Sequence, residues 1–168
     1  IPGSFTVDGV VHTIRHIGTS AFKNNNITST GTLTIPASVT SIGTQSFRGT
    51  GFHTVTFAEG SGLLTIGIGS FASTAITSIT IPASVTEIGG AAFDSCTSLT
   101  SVIFATGSGL LTIGQGAFYQ TGITSIVIPA SVTEIGETAF YMCASLTSVI
   151  FAAGSALETI GIAAFEES

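Results

Sequence analysis

The sequence predicts a single mainly β repeat domain over residues 1–168, wound as a solenoid of about seven turns with one parallel sheet and short 3₁₀ or irregular turns on the opposite face. Three observations predict it. The string Ile-Gly-x-x-(Ala or Ser)-Phe recurs seven times, starting at Ile17, Ile42, Ile66, Ile88, Ile113, Ile135 and Ile160. The successive spacings are 25, 24, 22, 25, 22 and 25 residues, within the range of solenoid coils of about 20–29 residues. Each copy is accompanied by one short β-branched run. A second period lies over the first, because turns alternate between an Ile-Pro-Ala-Ser-Val-Thr ending and a Phe-Ala ending followed by a Gly/Ser-rich loop. The doubled unit is about 47 residues, and Thr77–Phe93 and Thr124–Phe140 agree at 14 of 17 positions, the mark of a duplicated two-turn cassette.

The strands follow in chain order as Leu33–Ile35, Val55–Phe57, Ile79–Ile81, Val102–Phe104, Ile126–Ile128 and Val149–Phe151. Period-two apolarity and β-branched content make them strands, and one run per turn in the same direction makes the sheet parallel. Pro36, Pro82 and Pro129 follow strands in alternate turns, where a missing N–H is expected to end the ladder at little cost. Gly18, Gly43, Gly67, Gly89, Gly114, Gly136 and Gly161 follow the repeated Ile and are expected at sharp or left-handed corners. The motif phenylalanines, Phe22, Phe47, Phe71, Phe93, Phe118, Phe140 and Phe165, are expected to pile into one aromatic column in the core. Every turn carries one, so packing explains them better than a cofactor channel.

Composition narrows function. Only three Lys or Arg stand against nine Asp or Glu, giving a net charge of −6 and a pI near 4.7. Such a chain lacks the cations that neutralise phosphates, which argues against nucleic acid and against anionic membranes. Mean hydropathy is high at +0.66, yet no unbroken apolar stretch reaches the roughly 18–20 residues of a spanning helix. The 27 Thr and 21 Ser supply wettable surface in place of charge. No export signal stands at Ile1, so any such signal is expected to be removed or to lie outside this stretch.

Leu99–Phe104, Ile79–Gly89 and Ala92–Cys96 carry the pattern Ile-Pro-x-Ser-Val-Thr-x-Ile-Gly-x-x-Ala-Phe. The chain thereby resembles the BspA-like (Treponema pallidum type) leucine-rich repeats over nearly its whole length. That resemblance implies a right-handed leucine-rich-repeat solenoid, a non-catalytic role in binding or adhesion, and an extracellular or cell-surface location. It supplies no catalytic residues.

Outward strand positions form the candidate binding face. One column reads Thr32, Thr54, Ser78, Ser101, Ser125 and Ser148, and the next reads Thr34, Thr56, Thr80, Ile103, Val127 and Ile150. A third reads Gly31, His53, Thr77, Thr100, Thr124 and Thr147. These faces lack the Trp, Tyr and Arg anchors on which sharply specific protein sites usually depend. The expected partners are a protein or glycan surface, or copies of the chain itself. A fibre subunit and an ice-binding face of Thr and Ser are alternatives, the first because the chain stops directly after a motif Phe, the second because of the uncharged hydroxyl lattice.

Reactive constellations are sparse, and neither a cofactor nor a catalytic or metal site is expected. His12 and His16 have i, i+4 spacing, but their segment alternates like extended chain and lacks a third ligand. His53 has no candidate nucleophile beside it in the sequence. Glu87 and Glu134 are duplicates lacking an aromatic sugar platform. Cys96 and Cys143 sit one double unit apart in a column with Asn25, Thr50, Thr74, Thr121 and Ser168, too distant for a disulfide and expected to be reduced and inert. Asn26–Thr28 is a glycosylation sequon, relevant to a secreted eukaryotic protein.

Overall fold

The computed structural model describes residues 1–7, 10–25 and 31–168, and among them there is no helix. An antiparallel hairpin of β1 (Ser4–Val7) and β2 (Val10–Thr13) precedes the repeats. Long and short strands then alternate along the chain. The long ones are β4 (Thr32–Ile35), β6 (Thr54–Phe57), β8 (Ser78–Ile81), β10 (Ser101–Phe104), β12 (Ser125–Ile128) and β14 (Ser148–Phe151). They form a parallel six-stranded sheet in chain order.

The sequence predicts one parallel sheet, and the structure has two. Two-residue strands β3 (His16–Ile17), β5 (Ser41–Ile42), β7 (Thr65–Ile66), β9 (Glu87–Ile88), β11 (Thr112–Ile113), β13 (Glu134–Ile135) and β15 (Thr159–Ile160) make a second, seven-stranded parallel sheet. Its register pairs every motif Ile with the next, Ile17↔Ile42 through Ile135↔Ile160. Two residues are too few to display a period-two alternation, so this sheet is silent in the sequence pattern.

The motif glycines carry a different role from the expected one. None of them has positive φ. From Gly43 onward each instead brings its backbone against the turn before it: the N–H groups of Gly67, Gly114 and Gly136 donate to Ile42, Ile88 and Ile113 carbonyls at 2.8 Å. A Cβ on Gly67 would stand 2.5 Å from Ile42 O, and one on Gly114 2.6 Å from Gly90 N. Gly18, on the first such turn, has open space in that direction. The glycine is thus required by close approach of two backbones.

Left-handed residues lie two and six positions after each motif glycine, and most are not glycine: Ser20 and Asn24, Ala91 and Ser95, Thr138 and Met142 are examples, with φ between 51° and 58°. Each costs about 1–2 kcal/mol as an isolated conformer. The hydrogen bonds of the turn offset that cost. Ala91, Phe93 and Ser95 donate to carbonyls of the next turn, Gln115, Ala117 and Tyr119, while Ala92, Asp94 and Cys96 donate back to Gly89, Ala91 and Phe93 within the turn. Alternate N–H groups therefore serve the neighbour and the local turn.

Between the layers runs the aromatic column. Phe22, Phe47, Phe71, Phe93, Phe118, Phe140 and Phe165 stack consecutively with ring centroids 5.0–5.5 Å apart and near-parallel planes. Ile35, Val39, Ile42, Leu63 and their repeats fill the rest of the core. The repeated Ser of Pro-Ala-Ser closes each second turn. Ser84 Oγ donates to Leu63 O at 2.7 Å and Ser61 O at 3.0 Å, and Ser131 Oγ does the same for Leu110 and Ser108. At the motif's small-residue position, Ser46 Oγ donates to Gly18 O and Gly43 O at 3.0 and 2.6 Å. Ser70 Oγ, one turn on, is buried without a partner.

Two predictions follow from these contacts, both read as unfolding midpoints. Gly114→Ala forces two backbones apart and should lower stability by about 2 kcal/mol, whereas Ala91→Gly relieves a left-handed alanine and should raise it by about 0.5 kcal/mol. Ser70→Ala removes an unpaired buried hydroxyl and should stabilise by about 1 kcal/mol, while Ser46→Ala should destabilise by a similar amount.

Candidate functional site

Alternation along the long strands decides which side chains face outward. Thr32, Thr54, Ser78 and Ser125 are exposed and Ser101 and Ser148 half-buried, so the first predicted column lies along the face. Thr34, Thr56, Thr80, Ile103, Val127 and Ile150 are all exposed, the last three at 56%, 52% and 53%. The inward partners Leu33, Val55, Ile79, Val102 and Ile126 are buried. The face thus changes along its length, from threonines whose hydroxyls meet across strands (Thr34 Oγ1 and Thr56 Oγ1, 3.2 Å) to a stripe of bare β-branched residues. No ionisable side chain stands in these two columns.

The face is not continuous. β4 with β6, β8 with β10, and β12 with β14 pair over all four residues. Between β6 and β8 the only pair is Thr54↔Ser78, and between β10 and β12 it is Ser101↔Ser125. Proline is the cause. Ala58, Ala105 and Ala152 extend the complete pairs by donating to Ile35, Ile81 and Ile128 at 2.9–3.0 Å, and Pro82 and Pro129 occupy that place in the other two. The expectation that proline ends the ladder at little cost understates the effect, because the strands separate over three residues.

Each separation opens a cleft. One, of about 570 Å³, lies between β10 and β12, lined by Ile103, Phe104, Ala105, Val127, Pro129 and Ala130 together with four serines, Ser101, Ser108, Ser125 and Ser131. Its counterpart between β6 and β8, about 560 Å³, is lined by the equivalent Thr56, Phe57, Ala58, Thr80, Pro82 and Ala83. Of the lining residues, Thr54, Thr56, Ser78, Thr80, Ser101, Ile103, Ser125 and Val127 belong to the face read from the sequence. The signal for the others was the alternate placement of proline.

Residues 15–147 match the family description BspA type leucine-rich repeat region in six copies. The chain belongs to the BspA-type leucine-rich repeat family. Among curated proteins none matches it. Solved structures similar to this BspA-type chain include the following two. The pneumococcal vaccine antigen PcpA has 29% sequence identity and a TM-score of 0.86, covering 92% of this chain and 40% of that one. A leucine-rich cell surface protein from Faecalibacterium prausnitzii has 26% identity and a TM-score of 0.61, covering 90% of this chain and 46% of that one. The chain therefore spans less than half the length of either.

The reactive candidates of this BspA-type chain are dispersed by the repeat. His12 lies on β2 and His16 on β3, so helical convergence of the pair does not occur, and His16 Nδ1 meets Ser41 Oγ at 2.7 Å. His53 is exposed, and its carbonyl accepts from Thr77 N–H at 3.1 Å. Glu87 and Glu134 are exposed on the seven-stranded sheet, both in register with Thr112 between them. The Asn26–Thr28 sequon lies outside the described residues. Among the described residues no helix is long and apolar enough to cross a membrane.

Cys96 and Cys143 are buried free thiols. Cys96 Sγ donates to Phe71 O at 3.1 Å and meets Thr74 Oγ1 at 3.3 Å, and Cys143 repeats this with Phe118 O and Thr121 Oγ1. Thr50, Thr74 and Thr121 cap the same turn in other copies, each donating to the carbonyl of its own motif Phe. Burial pushes both thiols up from their ordinary value, with the Thr74 and Thr121 hydrogen bonds acting in the opposite direction.

Because the folded thiols hold their protons more tightly than unfolded ones, their contribution is complete below the unfolded thiol value of about 8.5 and is lost as pH rises toward the folded values. The Cys96→Thr, Cys143→Thr double variant should therefore lose less stability than the parent between about pH 8 and pH 10. Denaturant titrations at each pH measure the difference, and thiol labelling should be slow until the native chain unfolds.

Proposed function

We propose that this chain is a non-catalytic binding module at a bacterial cell surface, and that it engages a protein or glycan partner through the outward face of its six-stranded sheet. The observation that carries this reading is that face: regularly spaced, free of charge in its two central columns, and bearing exposed Ile103, Val127 and Ile150 that the repeat does not require for its core. Exposed apolar side chains grouped on one face mark interaction surfaces. Family membership and the cell-surface description of the Faecalibacterium relative support the location.

The absence of charge on the face has a measurable corollary. Binding through it rests on apolar burial and neutral hydrogen bonds, so it should persist in about 0.5 M salt, where ion pairs are screened within roughly 4 Å. Immobilised extracellular-matrix proteins and mucin glycans, probed with the purified chain, provide the assay. Ile103→Arg and Ile150→Arg should each lower affinity about tenfold or more. Thr65→Arg and Thr112→Arg, on the other sheet, should leave it unchanged. Loss of binding by the second pair and not the first would place the interface elsewhere.

A further inference from the structure

The irregular turns that follow the short strands break their repeat at one place. The residue after the motif Gly reads Ile68, Gly90, Gln115 and Glu137 on four successive coils, so the row loses its side chain at Gly90. The row beside it is small there too, with Gly69, Ala91 and Gly116. A notch of about 490 Å³ opens at this point, bounded along the stack by Ile68 and Gln115. That volume lies in the range of small-molecule sites. The duplicated cassette isolates its origin. Thr77–Phe93 and Thr124–Phe140 differ at three positions, and two of these, Gly90 for Glu137 and Ala91 for Thr138, are where the notch opens.

One wall of the notch is an aromatic ring held in place. Tyr119 and Tyr141 stack with centroids 5.6 Å apart and planes 14° from parallel, and Tyr119 Oη and Gln120 Nε2 both donate to Met142 Sδ at 3.4 Å. The stack ends at Tyr119. In the preceding coil, registered by the Ser95 N–H donating to Tyr119 O at 2.9 Å, the equivalent residue is Asp94 and not a ring. Tyr119 therefore has one face against Tyr141 and the other toward Asp94, and Tyr119 and Asp94 both line the notch. Asp94 Oδ1 accepts from Ser95 Oγ at 2.9 Å, while Oδ2 has no partner among the described residues. Gln115 is exposed, and its side-chain amide supplies both donors and an acceptor.

A ring face, a carboxylate and an amide around small residues are complementary to a sugar ring. The electron-rich face of Tyr119 attracts the C–H groups of a pyranose. The Asp94 carboxylate accepts charge-assisted hydrogen bonds from neighbouring hydroxyls, and the Gln115 amide serves a further one. A ring already fixed by Tyr141 and Met142 loses little freedom on binding. Charge sets the sugar's class. From Gly49 onward the chain holds eight acids and no Lys or Arg to offset them, so an acidic sugar is repelled. Small organic cations are taken into cages of several rings, whereas Tyr119 offers a single face.

From this lining we infer that the notch binds a neutral hexopyranose, with Tyr119 stacked on the sugar ring and Asp94 and Gln115 binding its hydroxyls. The site is separate from the sheet face proposed above and does not depend on it.

The test is amide chemical-shift titration of the labelled chain with the methyl glycosides of glucose, galactose and mannose, beside their uronides and tetramethylammonium. At least one neutral glycoside should move the Gly90, Ala91, Gln115 and Gly116 amides with millimolar affinity and leave Ile103 and Val127 still. Its uronide should bind about tenfold more weakly. Gly90→Glu combined with Ala91→Thr installs the residues of the sister coil, which the fold already accepts one cassette further on, and should weaken binding about tenfold or more. Tyr119→Leu should do the same. Silence of the notch amides with all three neutral glycosides at about 50 mM overturns the inference. Equal binding of a glycoside and its uronide overturns it, as does undiminished binding by the double variant. Shifts with tetramethylammonium alone overturn it in favour of a cation site. Failure of the sheet-face reading appears separately, as unchanged matrix or glycan binding by Ile103→Arg.

Discussion

The repeats of this molecule are registered by one backbone contact, the approach of each motif glycine from Gly43 onward to the turn before it. Its N–H donates to the preceding motif Ile carbonyl, and no side chain can intervene, since a Cβ at Gly67, Gly114 or Gly136 would fall 2.5–2.6 Å from a backbone atom. The contact aligns the motif Ile residues of the seven-stranded sheet, and the Phe four residues beyond each Gly then has one place to go. The result is a column of rings at 5.0–5.5 Å that leaves little freedom to the rest of each turn. Pairs of this kind add about 0.5–1.5 kcal/mol each beyond area burial. Left-handed residues that would be strained alone are held by hydrogen bonds in both directions along the stack.

Much of this was legible because repetition amplifies weak signals. The phenylalanine column, the outward columns from Thr32 to Ile150 and the reduced state of Cys96 and Cys143 all follow from placing equivalent residues over one another. What stayed hidden lacked either length or composition. A two-residue strand such as Ile66 with Thr65 has no alternation to detect, and left-handed positions occupied by Gln45, Thr138 or Met142 carry no glycine to announce them. The motif glycine itself was conspicuous, but sequence cannot separate a demand on φ from a demand on distance. Here the demand is distance.

The same limit applies to the candidate site. The outward face could be read residue by residue, whereas the clefts depend on how far a missing N–H unzips a pair of strands. Pro82 and Pro129 mark the places, but only the pairing reduced to Thr54↔Ser78 and Ser101↔Ser125 reveals the opening. Serine has a similarly concealed role. Ser84 and Ser131 look like surface hydroxyls in a polar-rich chain, yet each ties two carbonyls of the previous turn and keeps one wall of its cleft in place.

The uneven ladder of the six-stranded sheet also gives the rod a mechanical grain. One side, with the short strands and the ring column, is bonded at every level, while the other is three two-stranded ribbons joined by single pairs. Flexure of such a beam concentrates at the two weak joints and opens toward the ribboned side. Such a bend makes the ribboned face convex and splays its three ribbons, while the seven-stranded spine stays bonded throughout.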